Sequence, residues 1–440
     1  MQNKTQQNIR YKLISLPSIT QTIMIRRLVF AFVASLSNNA IVSQTVTETV
    51  APYNIKTSTF IQNQANVLPF FRLGESFEFN FDDLYGNEEN YYYEISHYNY
   101  NWTPSQLSKN EYIDGVDNQR IQDYENSFNT LQLYSHYRLN LPNKFTSITK
   151  SGNYLLSIFN NNKELVFSKK FIIYEDLCEV PMQIKRARNI ADNLYKHNLD
   201  FTIKSKNILF QNAEQNVKII LFQNGNWKNT IVNIKPQYTI GNDLIFKYDK
   251  ETQFFAGNEY LFFDSKEVRA VTNIIANVDS NGGLYNTKLY TDTARKYKQY
   301  TFFPDVNGNF QVRNLNVLNN DVEADYTWVY FKLFVADAPA DSNIYITGMF
   351  NNNATVDENK MEYNKEKGIF EKALLIKQGF TNYKYTILDK NSKLLDANEI
   401  DGNFWQTENL YTAIVYYRAN GERYDRVIGK GEADSVNITN

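Results

Sequence analysis

From about residue 45 onward the chain consists of short apolar and aromatic runs separated by turns rich in Asn, Gly and Asp. The run SFEFNFD at 76–82 alternates apolar and polar residues, which is the two-residue period of a strand with one buried face. No segment holds a 3.6-residue apolar period over several turns with capping residues, so the helix signals are weak. The pattern therefore predicts an all-β chain.

Two segments read as β-hairpins. The runs 154–159 and 165–174 are separated by NNNK at 160–163. The runs 217–222 and 227–234 flank QNGN at 223–226, where Asn-Gly suits a type I′ turn. Short strands that recur at fairly regular spacing favour β-sandwiches over β-α-β units. We therefore expect tandem, immunoglobulin-like β-sandwich domains.

The composition supports sheets and excludes one large class of partner. The chain has 32 Tyr, 30 Phe and 4 Trp, and Tyr and Phe are strand formers. Its formal net charge is −2, without the basic surplus that a nucleic-acid-binding protein carries. A length of 440 residues exceeds what one core organises, so several domains are expected.

The strand pattern suggests where these domains begin and end. The first closes with the apolar strand 171–174, and the last begins with the long aromatic strand 325–334. The predicted divisions are an N-terminal extension with a signal peptide at 1–43, a first β-sandwich at 45–176, a second β domain at 177–322, a C-terminal β-sandwich at 325–428 and a polar tail at 429–440.

The N-terminal region carries an export signal. The basic run MIRR at 24–27 precedes the mostly apolar stretch 28–36, which is a signal-peptide pattern and too short to span a bilayer. Cleavage is expected near residues 43 and 44, and Met24 is a candidate start with 1–23 as an upstream extension. No later run approaches 18 apolar residues. The sequence thus predicts an exported protein.

The residue types that carry catalysis or bind metals are sparse and scattered. Cys178 stands alone among acids, which predicts an unreactive structural thiol. His97, His136 and His197 lack paired metal-ligand spacing, which favours packing or surface roles over a functional pair. No G-x-S-x-G elbow or glycine-rich phosphate loop is present. We expect no enzymatic activity, no metal, no cofactor and no small-molecule substrate.

Two acidic pairs and one turn receive simple interpretations. The neighbours Asp82 and Asp83, like the acids at 88–89, are predicted to be solvated charges near a loop. The segment DVNGN at 305–309 has a superficial likeness to a calcium loop but lacks the required Gly and the bidentate Glu, so it predicts a turn.

The densest aromatic segment is YYYEISHYNYNW at 91–102. Strand alternation places aromatic residues on both of its faces, which a one-sided core does not require. Tyr and Trp are favoured at protein interfaces. Two interpretations are equally supported: an aromatic sandwich core, or a partner-binding surface that contains Tyr91, Tyr92, Tyr98, Tyr100 and Trp102.

A series of segments in this order resembles the plug proteins of the type IX secretion system of Bacteroidetes. The segments are 52–57, 70–84, 92–102, 110–115, 126–130, 134–142 and 151–154. The resemblance implies a non-enzymatic periplasmic protein on the inner side of the outer membrane. It also implies that the protein binds the periplasmic mouth of the outer-membrane translocon barrel and plugs its pore at rest. On this hypothesis the aromatic loops of the first domain face the translocon.

The C-terminal part supports an alternative function. GMFNN at 348–352, followed by YKYTILD at 383–389, resembles the immunoglobulin-like, early-set glycan-binding modules found beside starch-acting enzymes. Asn353 occupies the position at which such modules place a sugar-stacking Trp. The alternative is therefore a periplasmic glycan-binding protein of a polysaccharide-utilisation system.

Overall fold

The computed structural model describes residues 45–280, 282–338, 341–391, 400–436 and 438. Residues from Thr45 onward form one compact unit. Three hydrophobic cores divide this unit into three lobes. We define the first lobe as 45–176, the second lobe as 177–256 together with 407–436, and the third lobe as 257–406. The predicted N-terminal extension and signal peptide lie outside the described residues.

The first lobe is almost entirely strand. In chain order its strands are β1 Ile55–Gln62, β2 Ala65–Asn66, β3 Phe70–Arg72, β4 Phe77–Asp83, β5 Tyr92–Tyr98, β6 Ile113–Gly115, β7 Gln119–Arg120, β8 Asp123–Asn126, β9 Ser135–Leu141, β10 Thr146–Ile148, β11 Gly152–Phe159 and β12 Leu165–Tyr174. One helical turn, α1 Lys109–Tyr112, precedes β6.

Two five-stranded sheets enclose the core of the first lobe. Their strand orders are β2-β1-β4-β9-β8 and β3-β12-β11-β5-β7, and β3 pairs with β12 in parallel. Aromatic rings meet between the sheets, with centroids 5.9 Å apart for Phe60 and Phe171 and 5.2 Å apart for Phe81 and Phe167. Each fully buried Phe contributes about 1.5–3 kcal/mol through removal of apolar surface from water. The first lobe is therefore a β-sandwich with an aromatic core.

The local strand predictions are confirmed. The first hairpin is β11–β12, with Tyr154 opposite Phe171. The burial pattern of β5 alternates along its length, as the two-residue period requires. The all-β fold class also holds for the other two lobes.

The second and third lobes share the rest of the chain. In chain order the strands are β13 Cys178–Glu179, β14 Met182–Arg186, β15 Lys196–Ser205, β16 Val217–Gln223, β17 Thr230–Val232, β18 Tyr238–Ile240, β19 Asp243–Phe246, β20 Gln253–Phe255, β21 Leu261–Asp264, β22 Ile275–Asp279, β23 Tyr285–Leu289, β24 Asp292–Thr293, β25 Phe310–Val312, β26 Tyr326–Phe334, β27 Asn343–Thr347, β28 Glu362–Asn364, β29 Ile369–Lys377, β30 Gly379–Leu388, β31 Leu410–Tyr417 and β32 Arg426–Asp434. The helical turns are α2 Ala213–Asn216 and α3 Asn320–Glu323, with 3₁₀ turns at Met349–Asn351 and Asp357–Asn359.

The second lobe is completed by the end of the chain. One of its sheets has the order β17-β16-β31-β32, and Val217 pairs with Tyr417 at one end of the β16–β31 ladder. The predicted hairpin at 217–234 is present as β16–β17, and Asn224 and Gly225 both have positive φ as a type I′ turn requires. The facing sheet contains β13, β14, β15, β18, β19 and β20.

The predicted domain boundaries after residue 176 differ from the boundaries of the lobes that this strand pairing forms. Strands β21 to β23, placed in the second domain by sequence, contribute Phe263, Ile275 and Leu289 to the third core. Strands β31 and β32, placed by sequence in the C-terminal domain and the polar tail, belong to the second lobe. The physical reason is that backbone hydrogen bonds join strands about 190 residues apart in sequence, and a two-residue period identifies a strand without identifying its partner.

Candidate partner-binding surface

The structure buries two of the five aromatic residues proposed to bind a partner. Tyr91 is 3 % exposed, and its hydroxyl donates to Asp83 Oδ2 at 2.9 Å. Trp102 is 9 % exposed and packs edge-on against Trp227 of the second lobe, with ring centroids 5.3 Å apart. Neither side chain is open to a partner in this structure, so the hypothesis does not hold for them here.

The other three candidates are half-buried. The hydroxyl of Tyr100 donates to Asn233 Oδ1 of the second lobe at 3.0 Å. The ring of Tyr98 packs against Trp102, with centroids 6.0 Å apart. Tyr92 lies in the same strand as Tyr98, on the face opposite the first core. The five residues therefore do not share one exposed surface, and both faces of the segment are aromatic because the second lobe covers part of the outer face.

The surface between the first and second lobes is apolar. Its buried members are Phe70, Ile172, Ile220, Phe222, Ile414, Tyr416 and Val427. Buried hydrogen bonds also cross it: the Tyr416 hydroxyl donates to Asn153 Oδ1 at 2.7 Å, and the amides of Val427 and Asp425 donate to Ser151 Oγ and Asn99 Oδ1 at 3.2 and 3.3 Å. At the edge of this surface Arg426 pairs with Glu175 at 2.7 Å. Burial of apolar area holds these two lobes together.

The surface between the first and third lobes contains buried charges. Lys377 Nζ lies 2.7 Å from Asp82 Oδ2, and His136 Nδ1 lies 2.6 Å from Asp82 Oδ1. The Tyr326 hydroxyl donates to Asp82 Oδ2 at 2.6 Å. The ammonium group of Lys377 also lies 4.2 Å from the ring centroid of Tyr134. Lys377, His136 and Tyr326 thus contact the carboxylate of Asp82, and the ring of Tyr134 packs against the ammonium group of Lys377.

The prediction that Asp82 and Asp83 are solvated is wrong, because both are fully buried. Burial acts to raise the pKa of Asp82, but the charges and hydrogen bonds of Lys377 and His136 outweigh it and hold that pKa below its ordinary value. Asp82 is therefore a carboxylate that receives its compensation largely from the third lobe.

An exposed apolar patch lies next to this charged surface. We define the apolar patch as four large side chains that are each between 49 % and 69 % exposed: Tyr85, Phe128, Leu131 and Leu133. The two loops that carry them touch, since Gln132 Nε2 donates to the Leu84 carbonyl oxygen at 3.1 Å. Single exposed apolar residues are ordinary on a protein surface, whereas contiguous exposed apolar surface is characteristic of interaction sites.

The third lobe fixes the backbone of the loop at 127–134. The amide of Phe128 donates to the carbonyl oxygen of Val322 at 2.9 Å. The amides of Leu131 and Gln132 donate to the two carboxylate oxygens of Asp325 at 2.8 and 3.1 Å. Because these bonds immobilise the loop before any partner arrives, the apolar patch would lose little conformational entropy on binding. In the sequence, three of its four members show only as apolar residues within the turn-rich segment NSFNTLQLY at 126–134.

The remaining candidate residues have structural surroundings. Burial raises the pKa of the Cys178 thiol to about 12, and nearby Asp176 adds to the effect. Burial lowers the pKa of His97 to about 4, and His97 Nε2 contacts the Ser151 carbonyl oxygen at 3.1 Å. Burial likewise lowers the pKa of His197 to about 4. The structure does not bring these groups together with His136.

Asn353, at the position where glycan-binding modules place a sugar-stacking Trp, is half-buried. The backbone carbonyl oxygen of Asn353 accepts a hydrogen bond from Lys228 Nζ of the second lobe at 2.9 Å. Within the described ranges, no group of three or more His, Cys, Asp or Glu side chains is arranged to hold a metal ion. Across the same part of the chain, no helix has the length and apolar character needed to cross a membrane.

Comparison with known protein families assigns the first lobe. Residues 55–175 match the family described as type 9 secretion system plug protein 1st domain. The chain belongs to the type 9 secretion system plug protein family. Membership in the plug family gives the chain a role associated with this secretion system, as a structural component of the cell envelope that interacts with another component of the system.

A solved structure extends the likeness over all three lobes of this plug-family chain. A hypothetical protein from Parabacteroides merdae, known from a crystal structure, is 31 % identical with a TM-score of 0.84. The match covers 89 % of this chain and 100 % of that chain. No curated protein matches the chain. The three-lobe arrangement is therefore shared with that protein beyond the matched first domain.

Proposed function

We propose that this protein is the periplasmic plug of a type IX secretion translocon. It would bind the periplasmic mouth of the outer-membrane translocon barrel and close the pore when no substrate is being exported. The proposal includes export by a signal peptide, residence on the inner side of the outer membrane and a role without catalysis. Family membership supports the secretion role, and the apolar patch supports binding of a protein partner.

The apolar patch is the observation that carries the proposal. It presents two aromatic and two aliphatic side chains from loops whose backbones are already fixed. Aromatic side chains with large contact areas dominate the energy of protein interfaces. A stopper must also resist deformation, and the buried surfaces between the first lobe and each of its neighbours provide that resistance. We therefore assign the contact with the translocon to this patch.

Affinity purification of a tagged chain from the native outer-membrane fraction tests the proposal. The wild-type chain should recover one very large barrel protein in stoichiometric amount. The double variant Phe128→Ser and Leu133→Ser should recover at least about tenfold less, because each truncation at an interface anchor costs about 1–2 kcal/mol. Cells that carry only this variant should admit large antibiotics that the intact outer membrane excludes.

A matched control distinguishes loss of the apolar patch from loss of exposed apolar side chains elsewhere on the protein. Ile190 and Leu209 of the second lobe are 87 % and 75 % exposed, so Ile190→Ser with Leu209→Ser removes a similar kind of surface elsewhere. This control should bind the barrel as the wild type does. Equal recovery by both double variants would remove the patch from the interface. Recovery of the tagged wild-type chain without any barrel would refute the plug role.

The half-buried tyrosines of the original hypothesis remain a separate prediction. Tyr92→Ala with Tyr98→Ala should weaken recovery of the barrel only if the outer face of β5 contributes to the same interface. Comparison with the Phe128 and Leu133 variant therefore shows which part of the first lobe meets the partner.

A further inference from the structure

A deep cleft lies between the outer face of the β2-β1-β4-β9 sheet and the third lobe. Its volume is about 740 Å³, within the range of cavities that bind small molecules. Ten of its 24 lining residues are Asn or Gln, and three more are Ser or Thr. We propose that this cleft binds a neutral, hydroxyl-rich ligand of the size of a short oligosaccharide, a property that goes beyond plugging.

The ammonium group in the cleft is already paired. Lys377 is the only cationic side chain among the lining residues apart from His136, and its ammonium group is bound to Asp82 Oδ2 and to the Asp321 carbonyl oxygen at 2.7 and 2.6 Å. The carboxylate of Asp321 pairs with Arg138 at 3.3 Å. An anionic ligand would therefore find no unpaired cation among these residues, which favours a neutral ligand.

Two buried atoms of the lining side chains lack a hydrogen-bond partner among the described residues. They are Asn80 Oδ1 and His136 Nε2, and both side chains are more than nine-tenths buried. Because a carboxylate only accepts, His136 Nδ1 donates its proton to Asp82, whereas His136 Nε2 lies 3.8 Å from Asp321 Oδ2. Asn80 Oδ1, an amide oxygen that only accepts, is thus suited to a ligand that donates hydrogen bonds.

Exposed amides on both walls can both donate and accept. Gln64 and Asn140 lie on the first-lobe wall and Gln311 on the opposite wall, and their side chains make no hydrogen bond to another described residue. A side-chain amide offers a carbonyl oxygen and an NH₂ group side by side. Neighbouring hydroxyl groups of a sugar, each a donor and an acceptor, match that arrangement.

A sugar fits better than an extended peptide. A peptide that adds a strand requires free backbone groups at a sheet edge. Here the edge strands of the two walls are joined to each other, since Asn66 Nδ2 donates to the Phe310 carbonyl oxygen at 2.8 Å and Asn309 Nδ2 donates to the Asn66 carbonyl oxygen at 3.3 Å. Side-chain amides rather than backbone edges therefore meet the ligand.

Titration calorimetry and saturation-transfer NMR on the purified chain test the cleft. The probes are the neutral trisaccharides maltotriose, cellotriose, mannotriose and N-acetylchitotriose, with trigalacturonate as an anionic comparator and tri-alanine as a peptide comparator. At least one neutral trisaccharide should bind at a single site. Trigalacturonate and tri-alanine should bind at least tenfold more weakly than that sugar.

Matched double variants localise the binding. Asn140→Ala with Gln311→Ala removes one exposed amide from each wall and should weaken sugar binding at least tenfold. Gln106→Ala with Asn161→Ala removes two exposed amides outside the cleft and should leave binding within twofold of the wild type. The proposal is overturned if no neutral trisaccharide binds, if an anionic or peptide probe binds better, or if the two double variants behave alike. None of these outcomes bears on recovery of the barrel, so the plug proposal stands or falls separately.

Discussion

The first lobe meets the second lobe through apolar rings and the third lobe through buried charges. On the second-lobe side the contact is an apolar cluster around Phe222 and Tyr416, crossed by buried hydrogen bonds that include the one from Tyr416 to Asn153. On the third-lobe side Asp82, His136 and Lys377 are all buried. Apolar burial stabilises almost any well-packed arrangement, whereas a buried ion pair repays its desolvation only in one geometry. The comparison indicates that the first surface supplies stability and that the second fixes orientation.

Removal of Lys377 should have the largest effect. Lys377→Met leaves the buried carboxylate of Asp82 without its ammonium partner and should lower the free energy of unfolding by about 3–5 kcal/mol, measured by urea denaturation. The control Lys372→Met changes a lysine of the same strand, β29, whose nearest carboxylate oxygen lies on largely exposed Glu362, and should cost less than about 1 kcal/mol.

A compensating change sharpens this test. Asp82→Asn in the Lys377→Met background removes the uncompensated charge and should recover much of the lost stability. If the double variant is no more stable than Lys377→Met alone, the stability lost in Lys377→Met arises from lost packing. The surface between the first and third lobes would then depend on packing, as the apolar surface does, and not on its buried charges.

The hydrogen bond within the apolar surface should matter less. Tyr416→Phe leaves Asn153 Oδ1 without its buried donor and should cost about 1–2 kcal/mol in the same denaturation experiment. Tyr174 lies half-buried at the edge of this surface, and Tyr174→Phe should change stability by less than about 0.5 kcal/mol. Comparable losses in the two variants would show that polar contacts do not distinguish the centre of this surface from its edge.

The contact between the second and third lobes should respond to pH. Glu259 lies between β20 and β21, where the chain passes from the second lobe to the third, and Glu259 Oε1 accepts hydrogen bonds from Tyr300 and from the Glu408 amide. Burial raises the pKa of Glu259 to about 7, so the folded chain holds this proton more tightly than the unfolded chain. The stability from this group is full below about pH 4.3, the usual value for Glu, and is lost as the pH rises through about 7.

Glu259→Gln measures that contribution. Between about pH 5 and pH 8 the wild type should lose about 1 kcal/mol more stability than the variant, because the amide does not titrate. Exposed Glu366 provides a control, and Glu366→Gln should follow the wild-type profile. A wild-type profile that parallels the Glu259→Gln profile would mean that the second and third lobes meet without a titrating carboxyl in this pH range.

The aromatic segment at 91–102 shows how far sequence reasoning reaches. Alternation along β5 predicts which residues share a face, and the structure confirms it. Sequence left open whether the outer face binds a partner or packs, because the covering residue Trp227 lies 125 positions beyond Trp102. The apolar patch was missed for a related reason: Phe128 and Leu133 look like core residues until the structure shows them on fixed loops.

The sequence by itself determined the strands, the turns at positions such as Asn224 and Gly225, and the plug-family likeness of the first lobe. These properties depend on a two-residue period, on local φ preferences and on ordered local motifs. Only the tertiary structure decided that β31 completes the second lobe and that Asp82 is buried against Lys377. Both depend on contacts between segments about 190 and 295 residues apart, for which local periodicity contains no information about the partner.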